Sequence, residues 1–394
     1  MRIFVVEQDG GGGLVHYAYQ LCGALSRAGA EVTLVTGQHY ELEHLPHSFT
    51  VEPRIRLWNP VGSSLPDSRL ASIMVRTFRR FRRGFRGIRY AYEWHRLTRY
   101  LLGERPDVVQ FSTIRFPFQA LALRRLRRAG ITLTQICHEF ESRDHGGMTR
   151  AVTLRRSPAA FNTFDRIYLH GDGNRSRFHS IFDLPDDRTR SIPHGDESLF
   201  LELAESLAEP ADAIPTALFF GGLRPSKGLD VLIAAWKQVQ HEVDAKLMIC
   251  GEPEGVDPIA LREQAELIGV AASVEIDARY QPAERVADLM TRATVVVLPY
   301  RSATASGVLQ VAYAFGVPVV ASAVGTLAED VKHGETGLLV EPDDSPGLSR
   351  ALVQLLSDPT EAARMGAEAR RAGEGFGWDP IAESIVTDYE ALAS

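Results

Sequence analysis

Residues 294–342 read TVVVLPYRSATASGVLQVAYAFGVPVVASAVGTLAEDVKHGETGLLVEP, and this stretch decides the fold. Residues 295–298 are a continuous β-branched and apolar run closed by Pro299, the pattern of a strand buried on both faces of a parallel sheet. A loop of small and hydroxyl residues follows, with Ser302, Thr304, Ser306 and Gly307. An apolar helical run over 308–315 stops at Gly316, and Pro318 opens a second β-branched strand at 319–321. Strand, small-residue loop, helix, strand is a βαβ unit. Its loop lies where backbone N–H groups and a helix N-terminus receive an anion.

Outward from this unit, the chain alternates strands and helices along most of its 394 residues, enough for two domains. Charge divides them. Residues 1–195 hold 29 Arg, no Lys and 18 acidic residues, a net of +11, whereas the remainder carries 14 basic and 32 acidic residues, a net of −18. The basic half implies an anionic partner, and nucleic acid is disfavoured because the other half repels it. Cys22, Cys137 and Cys250 are isolated and lack CxxC spacing, which points to a reducing cytoplasm and to buried small apolar roles. The N-terminal apolar run is too short for a signal peptide, and no run approaches a membrane span.

From the start, residues 2–7 form a strand, Gly10 to Gly13 a glycine loop, 14–28 an amphipathic helix and 31–36 a second strand. Read alone, the glycines make a flexible turn. They also remove every Cβ where a ligand approaches backbone. The dinucleotide spacing GxGxxG is absent, and no acid ends the second strand. Residues 46–75 read as irregular. Residues 76–102 then carry nine Arg and one acid, Glu93, interleaved with Phe78, Phe81, Phe85, Ile88, Tyr92 and Leu97, while Gly84 and Gly87 weaken the helical pattern. The segment from Arg76 to Arg99 suits either an anionic membrane surface or a solvated basic helix packed by its aromatics. Strands follow at 106–111 and 132–137, the latter ending in His138 and Glu139. A histidine there points to the crevice that binds ligands in parallel sheets, although taken alone a satisfied structural histidine is the better reading. In the acidic half, Arg224 and Lys227 follow the strand 217–220, and residues 246–250 end at Gly251.

The wording GVPVVAS (316–322), VGTLAEDV (324–331) and HGETGLLVEPDD (333–344) resembles the C-terminal domain of glycosyltransferase family 4, retaining sugar-nucleotide-dependent transferases of GT-B fold. PDVVQF at 106–111, IPHG at 192–195 and KGLDVLI from Lys227 extend the resemblance over almost the whole chain. It implies two Rossmann-like βαβ domains facing a cleft. Residues 1–195 would form the acceptor domain and 196–375 the donor domain, with a C-terminal helix at 376–394 crossing back. By resemblance, Gly12, Gly13, Gly251, Ser306, Gly307, Gln310 and Glu329 contact the donor, His138, Arg224 and Lys227 serve the reaction, and His16, Glu139 and Glu141 meet the acceptor. The family's paired glutamates fall on Ala303 and Val311, so Gln310 and the nearby hydroxyls are the local substitutes; His194 stands where the family has asparagine.

The resemblance implies transfer of a hexose from a nucleoside diphosphate sugar, as co-substrate rather than bound cofactor, with retention at the anomeric carbon. No Asp-x-Asp motif marks a metal, so metal-independent chemistry is expected. The acceptor is a glycan, a lipid-linked sugar or a natural product, reached in the cytoplasm or at the inner membrane face. A non-catalytic homologue acting as a binding subunit, and an epimerase or hydrolase on the same fold, remain as alternatives.

Overall fold

The computed structural model describes residues 1–56, 69–114, 116, 118–138, 140, 158–205, 214–303, 306–375 and 377–393, with backbone alone at 69–86 and 158–159. The chain divides into two compact units. One runs to Ile192 and adds the last helix, Trp378–Ala393; the other is Pro193–Gly377. Glu139, Glu141, Thr304 and Phe376 lie outside the described residues.

The first unit is a seven-stranded sheet in the order β3-β2-β1-β4-β5-β6-β7, built from β1 (Arg2–Val6), β2 (Glu31–Gly37), β3 (Thr50–Ile55), β4 (Val108–Phe111), β5 (Thr132–Cys137), β6 (Arg166–His170) and β7 (Thr189–Ile192). Every neighbouring pair is parallel. The chain starts in the middle, winds outward to β3, then returns to add β4 beside β1. β3 and a helix starting at Arg69 correct the irregular reading of 46–75. The sequence TVEPRI hid the strand, because it sits at the sheet edge with mixed exposure and carries Pro53, which edge strands tolerate.

The long helix Arg69–Glu104 runs through Gly84 and Gly87 without a break. Its inward stripe explains why. Tyr90, Trp94, Leu97 and Leu101 recur at helical spacing and are buried in the first unit's core. Trp94 stacks on Phe111 of β4 at 5.7 Å between ring centroids. The buried Gln8, just beyond β1, accepts hydrogen bonds from the Tyr90 hydroxyl and from Trp94 Nε1, the latter at 3.2 Å. Burial of this stripe outweighs the roughly 1 kcal/mol that each glycine costs a helix. The helix's aromatic and apolar residues therefore divide: Leu97 is buried, whereas Ile88 and Tyr92 lie on the outer face, 72% and 59% exposed.

The helix Trp378–Ala393 is locked onto this sheet by buried polar contacts. Asp388, 3% exposed, accepts from Arg166 Nε at 2.7 Å and Nη2 at 2.9 Å, from the Tyr168 hydroxyl at 2.7 Å, and pairs with Arg190 Nε at 2.9 Å. The next residue, Tyr389, fully buried, donates its hydroxyl to Gln110 and receives a hydrogen bond from Thr134.

The second unit is a six-stranded parallel sheet in the order β10-β9-β8-β11-β12-β13. Its strands are β8 (Thr216–Phe220), β9 (Lys246–Cys250), β10 (Val274–Asp277), β11 (Val295–Leu298), β12 (Val319–Ser322) and β13 (Gly337–Val340). The opening stretch supplies β11, the helix Gly307–Phe315 and β12 as read. All three cysteines are buried and unpaired with one another.

Candidate functional site

In each sheet the strand order reverses once, between β1 and β4 and between β8 and β11. Loops leaving the carboxyl ends of these strands diverge there and open a crevice, the usual ligand position in open α/β sheets. Gly12, Gly13 and His16 follow β1, Arg224 and Lys227 follow β8, and Ser306, Gly307 and Gln310 follow β11, whereas His138, Gly251 and Glu329 follow β5, β9 and β12.

In the first unit the glycine loop follows β1. Its glycines have separate causes. A Cβ on Gly10 would stand 2.1 Å from the His39 carbonyl oxygen, so Gly10 lets the loops after β1 and β2 abut. Gly12 has φ +91°, in the left-handed region, and caps the helix Gly13–Arg27. A Cβ on Gly13 would meet nothing within 4 Å, so that face of the loop is open. Glu41 is delivered to the loop by its own N–H, bonded to the Gly10 carbonyl at 2.8 Å. Its carboxylate then accepts from Gly12 N–H at 3.1 Å and pairs with buried His16 at 3.4 Å. His16 thus faces an acid of its own chain.

His138 stands just beyond β5. Its Nδ1 lies 3.1 Å from Nε2 of His170, just at the end of β6. Tyr17, from the glycine-loop helix, meets the His138 ring edge-on at 4.5 Å and the His170 ring at 5.6 Å, and packs against Trp378 at 4.8 Å. His170 went unnoticed in the sequence, although it was visible in principle, because parallel strands of matched length end side by side.

In the second unit the loop after β8 carries the two expected cations, which differ in state. Arg224 is held by Glu254, Nε at 2.8 Å and Nη2 at 2.6 Å. Lys227 sits with Nζ 3.5 Å from the centroid of the buried Tyr300 ring, and among the described residues no carboxylate oxygen lies within 4 Å of it. Its loop is fixed from behind by Arg301. That guanidinium binds both carboxylate oxygens of Asp230 (2.9 and 2.8 Å), Asp343 (2.7 Å) and the Pro225 carbonyl (3.0 Å). Hydrogen bonding to Arg301 holds the Asp230 carboxyl below its usual range. Glycines bring the loops together: a Cβ on Gly228 would lie 2.0 Å from the Pro299 carbonyl, and one on Gly251 1.9 Å from that of Gly221. Gly221 in turn lies against the side chain of Val308, in the first turn of the helix Gly307–Phe315.

Ser306 is the cap of that helix, its hydroxyl accepting from Leu309 N–H at 3.4 Å. The N–H groups ahead of Leu309 stay directed outward. Gln310 is 5% exposed, and its buried Oε1 has no hydrogen-bond partner among the described residues. Val311 and Ala303 are buried at 3% and 7% exposed. Glu329 is exposed in the short helix Leu327–Asp330. Its neighbour Asp330, unremarked in the sequence, has its carboxyl pushed up to about 6 by burial, with the Thr326 hydrogen bond and then the Glu329 charge as smaller influences. Burial pulls His194 down to about 4, so its ring is neutral at physiological pH.

The family models described as Glycosyltransferase Family 4 and Glycosyl transferases group 1 match residues 11–196 and 214–358. The D-inositol 3-phosphate glycosyltransferase of Xylanimonas cellulosilytica is 30% identical over 96% of the chain and 91% of its own length. The chain belongs to glycosyltransferase family 4. The family-4 enzyme of the same name from Rhodococcus erythropolis is 32% identical, and the chain spans about half of it (47%). Solved GT-B structures align over nearly all of this family-4 chain. Sucrose-phosphate synthase from Thermosynechococcus elongatus gives a TM-score of 0.72 at 21% identity, covering 99% of this chain and 98% of its own. Anabaena HepE, solved with UDP-glucose, gives 0.69 at 19%, covering 99% and 100%. The fold of this family-4 chain is therefore GT-B, two Rossmann-like parallel α/β domains.

Proposed function

We propose that this chain is a retaining hexosyltransferase that takes its sugar from a nucleoside diphosphate donor. The observation that carries the reading is Lys227. Among the described residues no carboxylate oxygen lies within 4 Å of it, and it stands on a loop braced by Arg301 at the strand reversal of the second domain, where Gly221 adjoins the first turn of a capped helix. Together these offer a cation and outward N–H groups to a diphosphate that gains charge as it leaves. Arg224 joins them by exchanging Glu254 for the phosphate, and Gln310 offers its amide to the nucleotide in place of the family's glutamate. The acceptor hydroxyl attacks from the face the diphosphate leaves, and the departing phosphate takes its proton, without a metal. HepE, solved with UDP-glucose, supports a nucleotide sugar as the donor class.

Calorimetric titration with UDP, GDP, ADP and TDP tests this. One nucleotide binds, and Lys227→Ala weakens it at least tenfold. Failure of all four to bind sinks the reading and favours a non-catalytic homologue, for which buried Val311 and Ala303 in place of the paired glutamates are the specific support. On the acceptor side, Ile88 and Tyr92 are exposed one turn apart beside exposed Arg89 and Arg99, which supports an acceptor met at an anionic membrane surface. Among the described residues no helix is long and apolar enough to cross a membrane. Co-sedimentation with anionic and with zwitterionic vesicles decides: equal recovery with both rejects membrane contact.

A further inference from the structure

We infer that His170 is a positioning residue that fixes the tautomer and ring plane of His138. The geometry begins in the sheet. β5 and β6 are parallel with Cys137 opposite Leu169, so the next residues, His138 and His170, leave the sheet side by side. Their rings approach through one nitrogen each, His138 Nδ1 and His170 Nε2, at 3.1 Å. A bond between two imidazole nitrogens has one proton in it. One ring donates, the other accepts, and the choice on one ring dictates the choice on the other.

His170 makes the choice, because its ring stands at the start of a helix. It is the residue that caps the helix Gly171–Ile181, and its side chain makes no capping hydrogen bond to the backbone. Its carbonyl is gripped by Asn174 Nδ2 at 2.7 Å. At the positive end of a helix a lone pair on Nδ1, the ring nitrogen nearer the backbone, is favoured over an N–H. The proton of His170 therefore sits on Nε2 and is donated to His138 Nδ1. His138 is left with its own proton on Nε2, as a neutral ring that donates from its far side. Tyr17, edge-on to both rings, keeps the pair from rotating out of register.

Joined to the transferase reading, on which this part rests, the arrangement presents an N–H donor to a donor-sugar oxygen. A histidine of the opposite tautomer would present a lone pair, which can accept from a hydroxyl but cannot donate to a sugar oxygen. The positioning itself does not depend on the reaction.

The test is histidine nitrogen spectroscopy on the full chain labelled with 15N-histidine, with His138 assigned by His138→Gln. The expected wild-type spectrum shows His138 protonated at Nε2 and unprotonated at Nδ1. In His170→Phe, which keeps a ring of similar bulk and removes the donor, this preference is lost. His170→Gln, whose amide can donate, retains it. In transfer assays kcat falls at least tenfold in His170→Phe with donor KM changed by less than threefold, and His170→Gln recovers most of it. A wild-type His138 carrying its proton on Nδ1 overturns the inference, and so does a His170→Phe spectrum identical to wild type. Should no donor support transfer, the glycosyltransferase reading fails while the spectra still decide the role of His170. The wild-type spectrum alone decides it if the phenylalanine variant does not fold.

Discussion

Replacing Asp388 by asparagine keeps the side chain's shape and removes its charge, and the structure sets the cost. The carboxylate is 3% exposed and receives three hydrogen bonds from Arg166 and Tyr168, with Arg190 as a fourth partner. Arg166 is itself buried, its side chain 11% exposed, so the substitution strands a guanidinium in the interior without a counter-charge. Breaking a buried pair in this way costs about 3–5 kcal/mol. Arg190 is a control, since its side chain is 53% exposed and pairs of that kind are worth about 0–1 kcal/mol. In a domain of this size 1 kcal/mol moves the melting temperature by about 2–4 °C, so Asp388→Asn should lower the first domain's transition by about 6–20 °C. Arg190→Ala should lower it by less than about 4 °C. Differential scanning calorimetry resolves the two. Equal, small shifts in both variants would show that the helix Trp378–Ala393 is held by its apolar face alone, and the reasoning from the buried charge would be wrong.

Two further substitutions report on pH. The folded Asp330 carboxyl titrates near 6, above its ordinary value of 3.8, so its protonated form contributes stability that is complete below about 4 and lost as pH rises through 6. Asp330→Asn should therefore gain about 2 kcal/mol over wild type at pH 8 and little at pH 4, read from urea unfolding at both. His194 has the opposite sign. Its folded value near 4 lies below the ordinary 6.5, so the stability contributed by its neutral form is present above 6.5 and lost as pH falls to 4. His194→Asn should remove about 2–3 kcal/mol of acid destabilisation in that window. The two slopes oppose each other, so each variant should show a steeper pH dependence of stability between 4 and 6 than wild type; flat profiles in both would refute the assignments. If transfer needs no metal, as proposed, excess chelator should leave the initial rate within twofold of the untreated enzyme.

β1, β2, β4, β5, β8, β9, β11 and β12 were legible because buried strands write themselves as β-branched runs between glycine and proline, whereas β7 and β13 are not read as strands. Segments whose order depends on partners elsewhere were not legible. β3 is an edge strand that buries little, and the helix Arg69–Glu104 overrides Gly84 and Gly87 through a stripe seated on Phe111 and Gln8. The same division holds at the candidate sites. Lys227, Ser306 and His138 follow strands and are picked out by their match to the family's motifs. His170, Tyr300, Arg301, Glu41 and Asp330 owe their roles to register, ring stacking and loop contacts that no local pattern carries. Ser306 shows the limit from the other side: expected at the donor, its hydroxyl is engaged as a helix cap.

The helix Trp378–Ala393 belongs to the first domain although the whole of the second is encoded between them. During synthesis, β4, β5 and β6 leave the ribosome long before the residues that cover them. Arg166 and Tyr168 must wait for Asp388, 222 and 220 residues on, and Gln110 and Thr134, bonded to each other, wait for Tyr389. The second domain has no such debt and can close on its own strands first. Maturation therefore runs against chain order: the domain begun first is the last to be finished, and a chain cut short before Asp388 leaves it without its latch.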